Sequence, residues 1–427
     1  MPRLRFIIGI VVMLVPAAVP GQENKKQASP FKRLDKHPAE ELRKQLFLVP
    51  EAGFDQSGAK VAHEYVTKGK MVPADVGQRF LAQFALRFRR TDWLELPWRN
   101  GLDSQIGKDQ AERLHVFSTK LRSTMMASVP TEDVRPDADK LRTSLSDTKP
   151  GSLAWDKSEA VPTLAQMLQV ESEPLRKLMV EKLAQIEGKE SSAVIAQRAV
   201  FDLSPEIRQQ AIRALASRPK KEYRQVILDA FRWPWQPAAE HAAEAVAALK
   251  WKELTPELIG LLKEPDPKLP FGDGVVYLRE MVRINHLCNC FLCHAPSLAK
   301  EDLVRGLAPV PGQSISPPYY GGTGTAVRAD ITFLRQDFSV FQPVANPDKW
   351  PGFQRYDYLL RTRKANRKEI DLLRSVQKNP TKSYPQRDAV LFAIRELTGV
   401  DRGTRTEDWL PFLKGVSEKK SSSSERP

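Results

Sequence analysis

The chain has 427 residues, of which 41% are hydrophobic and 28% charged, a balance that excludes disorder throughout. Its length accommodates several domains or one array extended by repetition. A formal charge of +14 would suit nucleic-acid binding in a cytosolic protein. Here the basic residues are scattered rather than gathered, and the N-terminus argues for export. The reading is therefore a solvated cationic surface attracted to anionic envelope polymers or lipid, with no nucleic-acid partner.

Residues 1–21 run from Arg3 and Arg5 through an apolar stretch at 6–15 to the small residues Ala17, Ala18, Val19 and Gly21. That order is the pattern of a secretory signal peptide. The apolar stretch is about half the ~20 residues needed to cross a bilayer. The mature protein is expected to be secreted or periplasmic, with no transmembrane segment. Loss of Arg3 and Arg5 leaves +12. Residues 22–38 are polar and without apolar period, and read as a flexible leader. The region 39–153 is helical: Val76, Phe80, Phe84 and Phe88 share one face of a helix over 74–90, and Ile106, Leu114, Phe117 and Leu121 one over 105–126. Between them, 93–100 reads as a turn containing Trp93, Pro97 and Trp98.

The region 154–269 repeats itself. Arg176, Val180 and Leu183 recur about 32 residues later as Arg208, Ile212 and Leu215, and a weaker third copy opens at Pro237 with Ala242, Ala243, Val246 and Leu249. Proline near a helix start fits, since its missing N–H has no partner there in any case. At Pro205, Arg208, Ala211, Ala214 and Leu215 the second copy resembles the HEAT-repeat signature. The resemblance implies antiparallel helix pairs that bury their apolar faces only by stacking.

A helix over 275–287 is expected to lead into the cysteines, as part of a segment 270–300. Residues 301–359 form a proline- and glycine-rich loop region, with a short hairpin through 327–333. Residues 360–415 resume as a C-terminal helical repeat unit, with helices over 366–377 and 385–397 and Gly399 as a C-cap. Residues 416–427 read as a disordered tail. The expected fold is mainly α, with HEAT-like antiparallel helix pairs forming a short solenoid around a Pro/Gly-rich irregular insert.

The three cysteines, Cys288, Cys290 and Cys293, lie within six residues and form no disulfide framework. Cys290-Phe291-Leu292-Cys293-His294 matches the CxxCH attachment pattern and resembles c-type cytochromes over this motif alone. The resemblance implies haem c held covalently by Cys290 and Cys293, with His294 as the proximal iron ligand. The chain departs from that family in having no methionine after Met281. A sixth ligand would have to come from His286, Met281, Met125, Met126, His115, Tyr319 or Tyr320. Three other readings of the cluster stay open. Zinc could be bound by Cys288, Cys290, Cys293 and His294, although adjacent Cys293 and His294 do not readily take two corners of one tetrahedron. Cu(I) could be bound by the three thiols, or a local disulfide could join Cys293 to Cys290 or Cys288.

No reaction is specified. There is no Gly-x-Ser-x-Gly elbow and no His-Glu-x-x-His helix, and the glycine-rich stretch 321–325 lacks a phosphate-binding lysine. The functional expectation is electron transfer or haem-based sensing. The alternative is a haem-free scaffold that docks another protein of the bacterial envelope.

Overall fold

The computed structural model describes residues 31–53, 59–60, 63–64, 68, 95–98, 106–128, 136–147, 149, 152–299, 301–310, 312–313, 326–378 and 383–411. The expected signal peptide, the 74–90 helix, Tyr319, Tyr320, the stretch 321–325 and the tail 416–427 lie outside these residues.

The described chain is mainly helical, with two small sheets. Helices α1 (Ala39–Phe47), α2 (Lys108–Ser128) and α3 (Ala138–Leu145) precede a run of seven more: α4 (Val161–Leu168), α5 (Glu173–Gln185), α6 (Lys189–Phe201), α7 (Pro205–Leu215), α8 (Lys220–Ala230), α9 (Gln236–Ala248) and α10 (Thr255–Leu261). Proline stands in the first two positions of α4, α5, α7, α9 and α10, where its fixed φ is already helical. From α4 to α9 each helix packs on the next but one, and most also pack on their successor. In α9 the side chains of Ala238, Ala239, Ala242, Ala243 and Ala245 are wholly buried, so neighbouring helices approach closely on several sides.

Beyond α10 the structure corrects two expectations. The segment 275–287 is not helical: Tyr277–Asn285 is strand β1, followed by one helical turn, α11 (Cys290–Cys293). The expected loop region contains β3 (Arg305–Leu307), β4 (Ala326–Arg328), β5 (Phe338–Pro343) and the start of β6 (Phe353–Lys364), while β2 (Ala295–Ser297) follows the cysteines directly. No hairpin spans 327–333; β4 instead lies between β2 and β3, antiparallel to both. In the larger sheet β6 is central, antiparallel to β1 with Met281 opposite Leu360, and to β5 with Phe338 opposite Tyr358.

This sheet separates two apolar cores. Met281, Phe338, Tyr356 and Tyr358 face the helices, whereas Val282, Ile284 and Leu359 face a second cluster containing Phe291, Leu292, Cys293, Phe333, Leu334 and Trp350. Phe338 stacks between Phe201 and Tyr358, with ring centroids 4.8 Å away in each case, and also on Trp235 at 5.7 Å. The Tyr358 hydroxyl donates to the Leu46 carbonyl at 3.1 Å, tying β6 to the end of α1.

After the sheet, α12 (Arg367–Lys378) buries none of its side chains, and α13 (Pro385–Thr398) packs on α9 and α10. Gly399 ends α13 at φ 72°, a left-handed conformation that costs glycine little. The leader expectation also needs correction at its C-terminal end. Asp35 is buried, and its carboxylate is gripped by Arg208 Nη2 at 3.0 Å and His241 Nε2 at 2.7 Å. No described helix is long and apolar enough to cross a membrane.

Candidate functional site

The cysteine turn is built by asparagines at the end of β1. Asn285 Oδ1 accepts from the backbone N–H of Leu287 at 3.0 Å and of Cys288 at 3.3 Å, which stops the strand in an Asx-type turn. Asn289 Nδ2 donates to the Asn285 carbonyl at 2.7 Å, and the Asn289 carbonyl accepts from the N–H of Leu292 and of Cys293. Cys290 and Cys293 therefore sit one helical turn apart, on one face. At His294 the chain becomes extended (φ −132°, ψ 146°), and the Phe333 N–H donates to the Cys293 carbonyl at 2.7 Å.

That switch from helix to strand turns the His294 ring toward residue 331. Its Nδ1 lies 2.5 Å from the Ile331 carbonyl, so Nδ1 carries the proton and donates. Burial pushes the imidazole down to about 4, against the upward pull of that hydrogen bond. The ring is neutral at pH 7, with the Nε2 lone pair left to act as a ligand. A carbonyl accepting from the far nitrogen is the usual means of fixing a metal-binding histidine.

The thiols differ in surroundings. Cys288 and Cys293 are buried, whereas Cys290 is half-buried and its Sγ donates weakly to the His286 and Leu287 carbonyls at 3.6 and 3.7 Å. No disulfide joins any of them. Burial pushes the Cys290 thiol up to about 12 and raises that of Cys293, so both are neutral at pH 7 and poor nucleophiles for disulfide exchange.

The four donor side chains do not converge on a point. Among the described residues, the trio of His, Cys, Asp and Glu donor atoms that falls within 4.8 Å of one another is Asp35, His37 and Glu240, far from the cysteines in sequence. The reason is local. One helical turn sets Cys290 and Cys293 side by side, Cys288 precedes that turn, and His294 leaves it in the extended direction.

Beneath the turn lies a buried carboxylate that the sequence did not flag. Asp357 accepts from Ser339 Oγ at 2.6 Å, Arg355 Nε at 2.7 Å, His286 Nδ1 at 3.0 Å and Gln336 Nε2 at 3.0 Å. Burial alone would raise its pKa. The Arg355 guanidinium, the His286 ring and the Ser339 hydroxyl together hold it well below the usual carboxylate range. The sequence offers only a Tyr-Asp-Tyr alternation on a strand as a clue.

Of the described sixth-ligand candidates, only His286 lies beside the turn. Met281 lies in the helix core on the opposite side of the sheet, and the Nδ1 of His286 is held by Asp357. His115 and Met126 are exposed on α2, while Met125 packs on the helix core.

Gly53 supports the turn from outside. Residues 50–52 run alongside β1, with Ala52 N–H donating to the Arg283 carbonyl and Arg283 N–H to the Pro50 carbonyl. This brings Gly53, at φ +100°, against the Asn289 amide, where a Cβ would collide with Oδ1. Gly53→Ala is expected to cost about 1–3 kcal/mol, from both backbone strain and displacement of Asn289. Chemical denaturation measures the loss, and faster labelling of Cys290 by a thiol reagent in native conditions reports the loosened turn.

Comparison of the chain with family models, with curated proteins and with solved structures returns no match.

Proposed function

We propose that this chain is an exported helical-repeat protein carrying a covalent c-type haem, with Cys290 and Cys293 as the attachment thiols and His294 as the proximal iron ligand. The observation that carries the reading is the His294 ring. Its proton is committed to the Ile331 carbonyl while Nε2 remains a neutral donor, directly after a turn that sets two thiols on one face. The spread of the donor atoms also favours a porphyrin, which needs thiols at its rim and an imidazole at its centre, over zinc or Cu(I), which need convergence. A bound haem would supply one-electron transfer or binding of a small ligand at iron. Around it Phe291, Leu292, Phe333 and Trp350 would exclude water, and the Ile331 carbonyl would fix the imidazole tautomer.

Support for the repeat reading comes from the recurring arginines. Arg176 makes a two-pronged contact with Asp202 at 3.0 and 3.2 Å, and Arg208 donates to the carbonyls of Asp202 and Leu203. Each thus fastens the start of its helix to the connection after α6. A secreted or periplasmic location and affinity for anionic envelope surfaces belong to the same proposal.

The test is absorbance of protein produced with the c-type maturation machinery. A Soret band that survives acid–acetone extraction is expected, as is its loss from Cys290→Ser/Cys293→Ser. A His294→Ala variant should keep the covalent group with an altered spectrum. Colourless matured protein with no porphyrin in its intact mass overturns the reading. That outcome leaves a haem-free scaffold docking an envelope protein. One feature favours this alternative: the amphipathic helix α12, with no buried side chain and Leu372 53% exposed, is available to a partner.

A further inference from the structure

A second cluster of ligand-type side chains lies where the N-terminal segment crosses α9. One donor atom each from Asp35, His37 and Glu240 falls within 4.8 Å of the other two. Asp35 and Glu240 are 5% and 7% exposed, and His37 is half-buried. Asp35 gives Oδ2 to Arg208 and His241, while its Oδ1 accepts the His37 backbone N–H at 2.8 Å and keeps a lone pair.

Glu240 is the group the fold leaves unexplained. Its Oε1 accepts from Gln236 Nε2 at 2.7 Å, but its Oε2 is out of solvent and has no hydrogen-bond partner. A buried carboxylate oxygen without a donor is costly, and the acidic neighbours Asp35 and Glu244 worsen its position. Arg208 and the more distant Arg33 serve Asp35 and Glu244 instead. What would complete the site is a positive charge with room for two carboxylate oxygens and an imidazole nitrogen.

We propose that Asp35, His37 and Glu240 form a site for a divalent transition-metal ion, zinc by preference, which fastens the segment around Asp35 to α9. One imidazole and two carboxylates are ligand types that zinc accepts at about 2.0–2.2 Å, with water in the fourth position. Those bond lengths give tetrahedral edges of roughly 3.3 Å, so donor atoms that lie within 4.8 Å of one another close inward by at most about 1.5 Å on binding. The inference is independent of the haem proposal, because no cysteine takes part.

Zinc titration of the EDTA-treated full-length chain tests this, read by calorimetry and by the thermal midpoint in wild type, Glu240→Gln, His37→Ala and Cys290→Ser. The expected result is a zinc-dependent rise in midpoint that survives Cys290→Ser and is lost in the other two variants, with affinity weakened at least about tenfold. Without metal, Glu240→Gln should be as stable as wild type or more so, since it removes a buried charge of which one oxygen has no donor. That pattern separates a ligand from a merely structural residue, and Glu240→Gln serves if His37→Ala fails to fold. The proposal is overturned if wild type shows no zinc-dependent rise, if Glu240→Gln keeps it, or if Cys290→Ser alone abolishes it and so places zinc at the thiols.

Discussion

Phe338→Ala is expected to destabilise the protein by about 3–5 kcal/mol. The ring is 1% exposed and touches both sides of the helix–sheet junction, lying nearly parallel to Phe201 (10°), Tyr358 (7°) and Trp235 (20°). Removing it forfeits the transfer energy of an aromatic side chain, and three rigid rings around the void have little freedom to collapse into it. Equilibrium urea unfolding measures the loss. Phe338→Leu should recover most of it, because the gap is then largely filled; equal losses in the two variants would show that ring stacking rather than volume holds the junction.

Asp357→Asn is expected to cost about 3 kcal/mol at neutral pH, since it leaves the half-buried Arg355 without its counter-ion and replaces a buried acceptor of four hydrogen bonds by an amide. The pH dependence fixes the cause. The folded-state pKa of Asp357 is depressed below its unfolded value, so the carboxylate's contribution is fully present above about pH 4 and is lost as acid titrates it in the fold. The gap between wild type and Asp357→Asn should therefore narrow below about pH 4. A gap that does not narrow in acid would assign the loss to packing rather than to charge.

Helices with a regular apolar period were legible in the sequence. The 105–126 and 366–377 expectations fall within three residues of the observed α2 and α12, and Gly399 marks the end of α13 as its position implied. Strand β1 was misread for a physical reason. Both of its faces are buried, Met281 against the helices and Val282 and Ile284 against the cysteine cluster, so the alternation that announces a one-sided strand is absent. The leader was misread because Asp35 finds its partners 173 and 206 residues away, beyond any local pattern. At the candidate site, the spacing of Cys290, Cys293 and His294 was plain. The Ile331 carbonyl that orients the imidazole and the Asp357 carboxylate below were not, because each arrives from a strand or turn whose placement only the folded chain decides.

Strand β6 is a wall shared by two rooms. Its tyrosines line the helical side, while Asp357 and Leu359 line the side of the thiols. Neither room can be emptied or refilled without stressing the partition. Any group seated at His294 would rest on a foundation set by Phe201, Trp235 and Phe338, residues it never touches. Changes in helices α6 and α9 would then be felt at the imidazole as altered rigidity, with no rearrangement of its immediate neighbours.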